Sequence, residues 1–146
     1  IIEGRRALGG CVFSPLPDRI FASTLACAAA AAGGRVELTG CRPETYAPLL
    51  EILAQMGCRV ETGPESAVIT RLGALHGAGR VFTGVYPALV VAALAARGRS
   101  RITETGYIDR GYAGFAQMLA ELGAQIEREM PRESASEKKT PSKKQN

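Results

Sequence analysis

Residues 35–61 read RVELTGCRPETYAPLLEILAQMGCRVE and residues 101–127 read RITETGYIDRGYAGFAQMLAELGAQIE, so one unit recurs after 66 residues without a gap. The two copies share Thr39/Thr105, Gly40/Gly106, Tyr46/Tyr112, Gly57/Gly123 and Glu61/Glu127. They keep apolar residues at Val36/Ile102, Leu49/Phe115, Leu53/Leu119, Met56/Leu122 and Val60/Ile126. A repeat of this kind predicts copies of one supersecondary unit that bury their apolar faces against each other.

Each copy is preceded by an apolar helix and opens on a short strand. The helices are predicted over residues 22–32 and 88–96, which are apolar on nearly every face and therefore suited to burial against a sheet. The strands are predicted over residues 35–38 and 101–103, where arginine alternates with aliphatic side chains.

An amphipathic helix follows in each copy and ends at Gly57 or Gly123, which suit the C′ position. Its apolar stripe is Tyr46, Leu49, Leu50, Leu53 and Met56 in the first copy, and Tyr112, Phe115, Leu119 and Leu122 in the second. A second strand is predicted to begin at Cys58 or Ala124, and in the first copy a third strand, residues 67–70, follows the turn at Gly63-Pro64.

Helices that alternate with short strands predict an α/β (α+β layered) protein in which helices cover a sheet. Residues 1–83 form the predicted first repeat unit and residues 84–130 a second, shortened one, within one globular body. Residues 131–146 are rich in Ser, Lys, Pro and Glu without apolar periodicity, and they predict a disordered basic tail.

The net charge of +4 is concentrated in that tail. Residues 1–130 carry 13 Arg against 12 Asp and Glu, whereas all four lysines lie in the last sixteen residues. A nearly neutral body argues against nucleic acid as a partner, and a solubilising terminus is the simpler interpretation of the lysines.

The four cysteines predict buried, reduced thiols in a cytoplasmic protein. Cys11, Cys27, Cys41 and Cys58 contain no CxxC pair, and the single His76 completes no usual metal set. No nearby base supports Cys11 as a nucleophile, so packing is expected there too. The sequence shows no signal peptide, and its apolar run over residues 25–32 is too short to span a membrane.

The largest difference between the copies lies where the strand gives way to the helix, because Asp109-Arg110 replaces Pro43-Glu44. Asp109 is predicted to cap the helix, with the Arg110 guanidinium beside the free backbone N–H groups, a natural site for phosphate or carboxylate. The simpler alternative, modestly favoured by these residues alone, is a plain cap and a surface charge. Pro17-Asp18-Arg19 precedes the first apolar helix in the same way, with Asp18 as the expected cap and Arg19 in the first turn.

Three segments resemble the UDP-N-acetylglucosamine 1-carboxyvinyltransferase family. They are IEGRRALGGCVFSPLPDRIFASTLACAAAAAGG, RPETYAPLLEILAQMGCRVE and the second copy of the repeat, which together cover residues 1–130. PDRI and IDRGY, in this order, are the most specific motifs. The resemblance identifies the C-terminal portion of such an enzyme, truncated and internally deleted.

The resemblance implies a partial inside-out α/β barrel built of βαβαββ-type repeats, with the active site between two domains. It implies enolpyruvyl transfer from phosphoenolpyruvate to the 3′-hydroxyl of UDP-N-acetylglucosamine, a cytoplasmic step of peptidoglycan synthesis without metal or cofactor. Arg110 falls on a family arginine that contacts the phosphoenolpyruvate-derived anion, and Asp109 and Arg19 are the other candidate substrate-binding residues.

Departures from the family pattern predict that this chain alone is inactive. The family's cysteine loop, roughly PGGC.IG.RP, and its Lys-Asn pair have no counterpart in these residues, since Gly9-Gly10-Cys11 aligns elsewhere. Residues 83–87, TGVYP, match the start of the family segment T.PYPGFPTD, but GFPTD and its aspartate are missing. The alternatives are a related transferase with another acceptor, such as shikimate 3-phosphate, and a non-catalytic module that binds ligand or self-associates.

Overall fold

The computed structural model describes residues 3–4, 7, 9–82, 86–103 and 105–129. The predicted tail over residues 131–146 therefore lies outside the described residues. The chain divides into two compact units, Ile1–Ala113 and Gly114–Asn146, and this boundary falls inside the second copy of the repeat.

The helices and strands of the first copy follow one another in the predicted order, and further short elements follow them. They are α1 (Arg19–Ala32), β1 (Gly34–Thr39), a 3₁₀ helix (Pro43–Tyr46), α2 (Ala47–Gln55), β2 (Arg59–Thr62), β3 (Ser66–Arg71), β4 (Gly79–Phe82), α3 (Ala88–Leu94), β5 (Ser100–Thr103), α4 (Gly106–Gly111) and α5 (Phe115–Glu121). Strand β4 is not predicted from the sequence, because four residues are too few to show a recognisable alternation of polar and apolar side chains.

Strands β1, β3 and β2 form an antiparallel sheet with β3 in the centre. Val36 of β1 and Val60 of β2 both lie opposite Ile69 of β3. A hydrogen bond from the Gly63 N–H to the Ser66 carbonyl, 2.8 Å long, closes the turn between β2 and β3. β4 and β5 form a separate parallel pair.

The core of the first unit lies between this sheet and the helices α1, α2 and α3. The predicted stripe of the first copy is confirmed, because Tyr46, Leu49, Leu50, Leu53 and Met56 are all buried. Helix α1 buries its small side chains, including Ala26, Cys27 and Ala30, and their size allows close approach of the neighbouring helix α3. Gly57 ends the α2 turn with φ +104°, as its C′ assignment requires.

The second copy departs from the first. Its amphipathic helix is interrupted between α4 and α5, and Gly114, with φ +64°, occupies the position held by Pro48 in the first copy. Glycine accepts this left-handed conformation and proline cannot, so the same position lies just before α5 in the second copy and in the first turn of α2 in the first. The predicted buried stripe is wrong at Tyr112 and Leu122, which are 50% and 79% exposed. The strand predicted from Ala124 is also wrong, since residues 124–129 form no strand.

Candidate anion-binding site

The candidate site is centred on the short helix α4, which presents Arg110 to solvent. The guanidinium carbon of Arg110 lies 4.5 Å from the centroid of the Tyr107 ring, one helical turn earlier. Ile108, on the opposite side of α4, is buried and anchors the helix. A planar guanidinium stacked on an aromatic ring keeps its edge N–H groups available for a carboxylate or a phosphate.

Asp109 does not cap this helix, so the predicted capping role is wrong. Helix α4 begins at Gly106, and its N-cap is Thr105, which makes no side-chain capping hydrogen bond. The Asp109 N–H donates to the Thr105 carbonyl at 3.0 Å, which places Asp109 inside the helix rather than before it. Arg110 consequently lies in the last turn of a six-residue helix, away from the N-terminal N–H groups that the sequence analysis assigned to it.

The N-terminus of α1 agrees with the prediction. Asp18 Oδ1 accepts hydrogen bonds from the backbone N–H groups of Ile20 at 2.8 Å and Phe21 at 3.2 Å. Arg19, the first residue of the helix, is exposed and makes no hydrogen bond or ion pair with the residues that the structure describes. Its guanidinium is therefore available to an anion from solvent.

The cysteines divide into three buried thiols and one exposed thiol. Cys27, Cys41 and Cys58 are buried as expected, whereas Cys11 is exposed, so its predicted packing role is wrong. Burial, and to a smaller extent the neighbouring Cys58, raises the pKa of Cys27 to about 12. Burial also raises the pKa of Cys58, partly offset by the positive charge of Arg71. These two thiols stay protonated at neutral pH and are poor nucleophiles.

Tyr46 donates a hydrogen bond from its hydroxyl to Cys41 Sγ at 3.2 Å in the core. Burial first, and this hydrogen bond second, raise the pKa of Tyr46 well above its ordinary value. The pair is a packing feature of the first copy, and its phenol is not available as a proton donor at neutral pH.

Among the described residues, no group of three or more His, Cys, Asp or Glu side chains is placed to hold a metal ion. His76 lies exposed in the loop before β4, where its backbone forms a single bridge with Arg97. Within the same described part of the chain, no helix is long and apolar enough to cross a lipid bilayer.

Two contacts in the structure lack a clear signal in the sequence. The Tyr107–Arg110 stack follows from an i, i+3 spacing on a helix, but α4 starts earlier than its residues suggested. Arg71 is a half-buried cation whose Nη2 donates to the Ala31 carbonyl at the end of α1, 40 residues away in the chain. No local pattern identifies such a long-range partner.

Comparison with solved structures identifies the fold. EPSP synthase from Acinetobacter baumannii matches with a TM-score of 0.63 at 21% sequence identity, over 74% of this chain and 27% of that one. At this identity the similarity shows the fold alone: the chain is part of an inside-out α/β architecture, as the sequence analysis predicts.

Comparison with sequence families is more specific. The model of the EPSP synthase (3-phosphoshikimate 1-carboxyvinyltransferase) family matches residues 1–131, and the chain belongs to this family. A UDP-N-acetylglucosamine 1-carboxyvinyltransferase from Nitrobacter winogradskyi is 37% identical over 134 residues, which are 86% of this chain and 31% of that protein. A protein of the same name from Rhodopseudomonas palustris is 36% identical over 133 residues, or 86% of this chain and 30% of that protein. The chain thus spans about a third of these relatives.

Proposed function

We propose that this chain is a portion of a carboxyvinyltransferase that moves the enolpyruvyl group of phosphoenolpyruvate to the 3′-hydroxyl of UDP-N-acetylglucosamine. The observation that carries the proposal is the 37% identity to an enzyme of that name over 134 residues. The reaction would supply a precursor of peptidoglycan in the cytoplasm, with the two small molecules as partners.

The described residues support a role in binding the anionic donor. Phosphoenolpyruvate carries a phosphate and a carboxylate, and guanidinium groups bind both through paired hydrogen bonds. Arg110, oriented by Tyr107, and Arg19, at the start of α1, are exposed cations of this type. Asp109 precedes Arg110 in the same helix and is the third proposed substrate-binding residue.

Turnover needs further groups: a proton donor for the methylene carbon and a base for the attacking hydroxyl. The resemblance aligns neither onto these 146 residues, and burial raises the pKa of the Cys27 and Cys58 thiols, which makes them weak proton donors. We therefore expect the isolated chain to bind phosphoenolpyruvate weakly and to release little or no phosphate from it.

Thermal unfolding and phosphate release together test this proposal. Phosphoenolpyruvate should raise the melting temperature of the chain, and Arg110→Ala should abolish that rise, while Arg99→Ala, which removes an exposed arginine outside the helices and strands, should not. UDP-N-acetylglucosamine and shikimate 3-phosphate are added in parallel, and a shift with the second alone would favour the alternative acceptor. Equal inertness of wild type and Arg110→Ala toward all three ligands would reject the substrate-binding role.

A second candidate function is self-association, which the exposed apolar face of α1 and α3 favours. Ile20, Phe21 and Leu25 of α1 are 40%, 64% and 39% exposed, and Val91 and Leu94 of α3 are 45% and 38% exposed. Exposed apolar side chains on two neighbouring helices favour an interaction site there. The two helices precede equivalent copies of the repeat and already pack on each other, so a second copy of the chain offers helices of the same kind.

Sedimentation velocity across a concentration series tests this second candidate. Phe21→Ser should shift the chain toward the monomer, whereas Leu72→Ser, at a position that is 91% exposed in the loop after β3, should leave the distribution unchanged. A wild-type chain that stays monomeric at high concentration would exclude the self-association.

A further inference from the structure

A row of three polar residues crosses the outer face of the three-stranded sheet. The register places Arg35 of β1 and Arg59 of β2 on either side of Thr70 in the central strand β3. Directly opposed residues of antiparallel strands project from the same face. Neighbouring strands are about 4.8 Å apart, so the two arginine Cα atoms are separated by roughly 10 Å. Two extended arginine side chains can close that span on one small ligand above Thr70.

The same residues line a groove of about 370 Å³. Its other lining residues are Gly57, Glu61, Leu72 and Gly73. The two glycines have no side chain, so main-chain atoms form that end of the groove. Gly57 has φ +104° as the C′ residue of α2. The shape is compatible with a compact ligand that lies between the two guanidinium groups.

The charges around the groove restrict what it can accept. Arg59 Nη2 lies 2.9 Å from Glu61 Oε1, and the two side chains are 75% and 51% exposed. An ion pair that exposed contributes little, so a dianion can replace the carboxylate at small cost. Arg35 makes no hydrogen bond or ion pair with any residue in the part of the chain that the structure describes.

The next row of the sheet is acidic. Glu37 and Glu61 lie on either side of Val68, two residues along each strand and therefore on the same face. An extended polyanion such as a nucleic acid would have to cross these carboxylates. A single phosphate group above Thr70 would not, and it would meet both guanidinium groups.

We propose that this groove binds one phosphate group. Arg35 and Arg59 donate charge-assisted hydrogen bonds to the phosphate oxygens, and the Thr70 hydroxyl donates a third. The second copy carries Gln125 where the first has Arg59, so the site belongs to the first copy alone. The proposal is independent of carboxyvinyl transfer, because it involves neither Arg19 nor Arg110.

Amide-resolved NMR of the full chain tests the site at constant ionic strength, with inorganic phosphate and methyl phosphate as separate probes and chloride as the background anion. Both should shift the amides of Arg35, Arg59 and Thr70 if the groove takes a phosphomonoester end. A response to inorganic phosphate alone would assign the free ion as the ligand.

Matched variants give the proposal its sharper test. Arg35→Gln should weaken phosphate binding roughly tenfold, the loss of one charge-assisted contact in a solvated groove. Thr70→Val should weaken it less, and Glu61→Gln should strengthen it by removing the competing carboxylate. Arg80→Gln, which takes the same charge from β4, and Arg110→Ala, which alters the proposed transferase site, should both leave groove binding unchanged.

The proposal is overturned if chloride produces the same amide shifts as phosphate. It is also overturned if Arg35→Gln and Arg80→Gln weaken binding equally, because the effect would then be general surface charge. Each variant is accepted for comparison when its remaining amide resonances match those of the wild type.

Discussion

Arg71 Nη2 donates a hydrogen bond to the carbonyl oxygen of Ala31 at 3.0 Å and so joins the end of β3 to the C-terminal turn of α1. Nη1 of the same guanidinium donates to the Gly73 carbonyl at 3.2 Å. A positive charge at a helix C-terminus also interacts favourably with the helix dipole. This one side chain therefore fixes the end of the helix whose other end carries Arg19.

Arg71→Met should lower the free energy of unfolding by about 1–2 kcal/mol, because it retains an apolar stem and loses both hydrogen bonds to the backbone. The offsetting gain is the removal of a buried Nε that has no hydrogen-bond partner. Urea unfolding measures the difference. Arg59→Met, on the exposed face of the same sheet, serves as the control and should change stability by less than about 0.5 kcal/mol. Equal effects of the two substitutions would contradict the capping role.

Gly33→Ala should be more destabilising than Gly34→Ala, although both residues have positive φ, +87° and +85°. A Cβ at Gly33 would lie 2.7 Å from Arg71 Nη2, whereas one at Gly34 meets nothing within 4 Å. Positive φ strains an L-residue at both positions, and at Gly33 the contact with Arg71 adds to that strain. Adding Arg71→Met to Gly33→Ala should remove the excess. A Gly33 penalty that persists unchanged in the double variant would show that Arg71 is not its source.

Leu53 and Leu119 occupy the same position in the two copies, but their surroundings differ. Leu53 is fully buried, and Leu53→Ala should cost about 2–5 kcal/mol through lost burial and a residual cavity. Leu119 is only half-buried in α5, so Leu119→Ala should cost much less. Thermal unfolding of the two variants side by side measures the asymmetry. Similar losses would mean that the second copy is packed as well as the first.

The extent to which the sequence predicts the fold follows this asymmetry. In the first copy the apolar stripe from Tyr46 to Met56 has a helical period and also packs against a neighbouring surface. Periodicity therefore identifies its buried face correctly. In the second copy the same period is present, but the left-handed Gly114 interrupts the helix and Leu122 remains exposed. Local pattern predicts which residues could be buried, whereas burial itself depends on a neighbour that the pattern does not specify.

The candidate site was predictable to a similar degree. The cap at Asp18 depends only on residues within one turn, and it is confirmed. The predicted cap at Asp109 is wrong because helix α4 begins earlier, at Gly106, with Thr105 as its N-cap. Asp109 therefore lies inside the helix. The groove between Arg35 and Arg59 depends on strand register, which places residues 24 positions apart in one row and is not visible in either strand alone.

Tyr107 should control how well Arg110 binds an anion. Tyr107→Phe retains the ring and should preserve the rise in melting temperature with phosphoenolpyruvate, whereas Tyr107→Ala frees the guanidinium and should reduce that rise. Both variants lose the hydroxyl, so a comparison between them isolates the stack. An equal reduction in both would instead assign the effect to the hydroxyl, and no reduction in either would separate Tyr107 from binding.

Stability should fall above about pH 9 because Cys27 holds its proton more tightly in the folded protein than in the unfolded one. Its pKa is raised from 9.0 to about 12 by burial, so the unfolded chain loses the proton first as the pH rises. The contribution is fully present below pH 9 and declines toward pH 12 by about 1.4 kcal/mol per pH unit. Cys58 and Tyr46, whose pKa values are also raised, add to the decline in the same direction.

Urea unfolding at pH 8, 9 and 10 measures how steeply stability falls with pH. Cys27→Ala should reduce this slope, while Cys11→Ala, at the exposed thiol, should not. An alkaline slope that Cys27→Ala leaves unchanged would show that this thiol does not couple folding to proton binding.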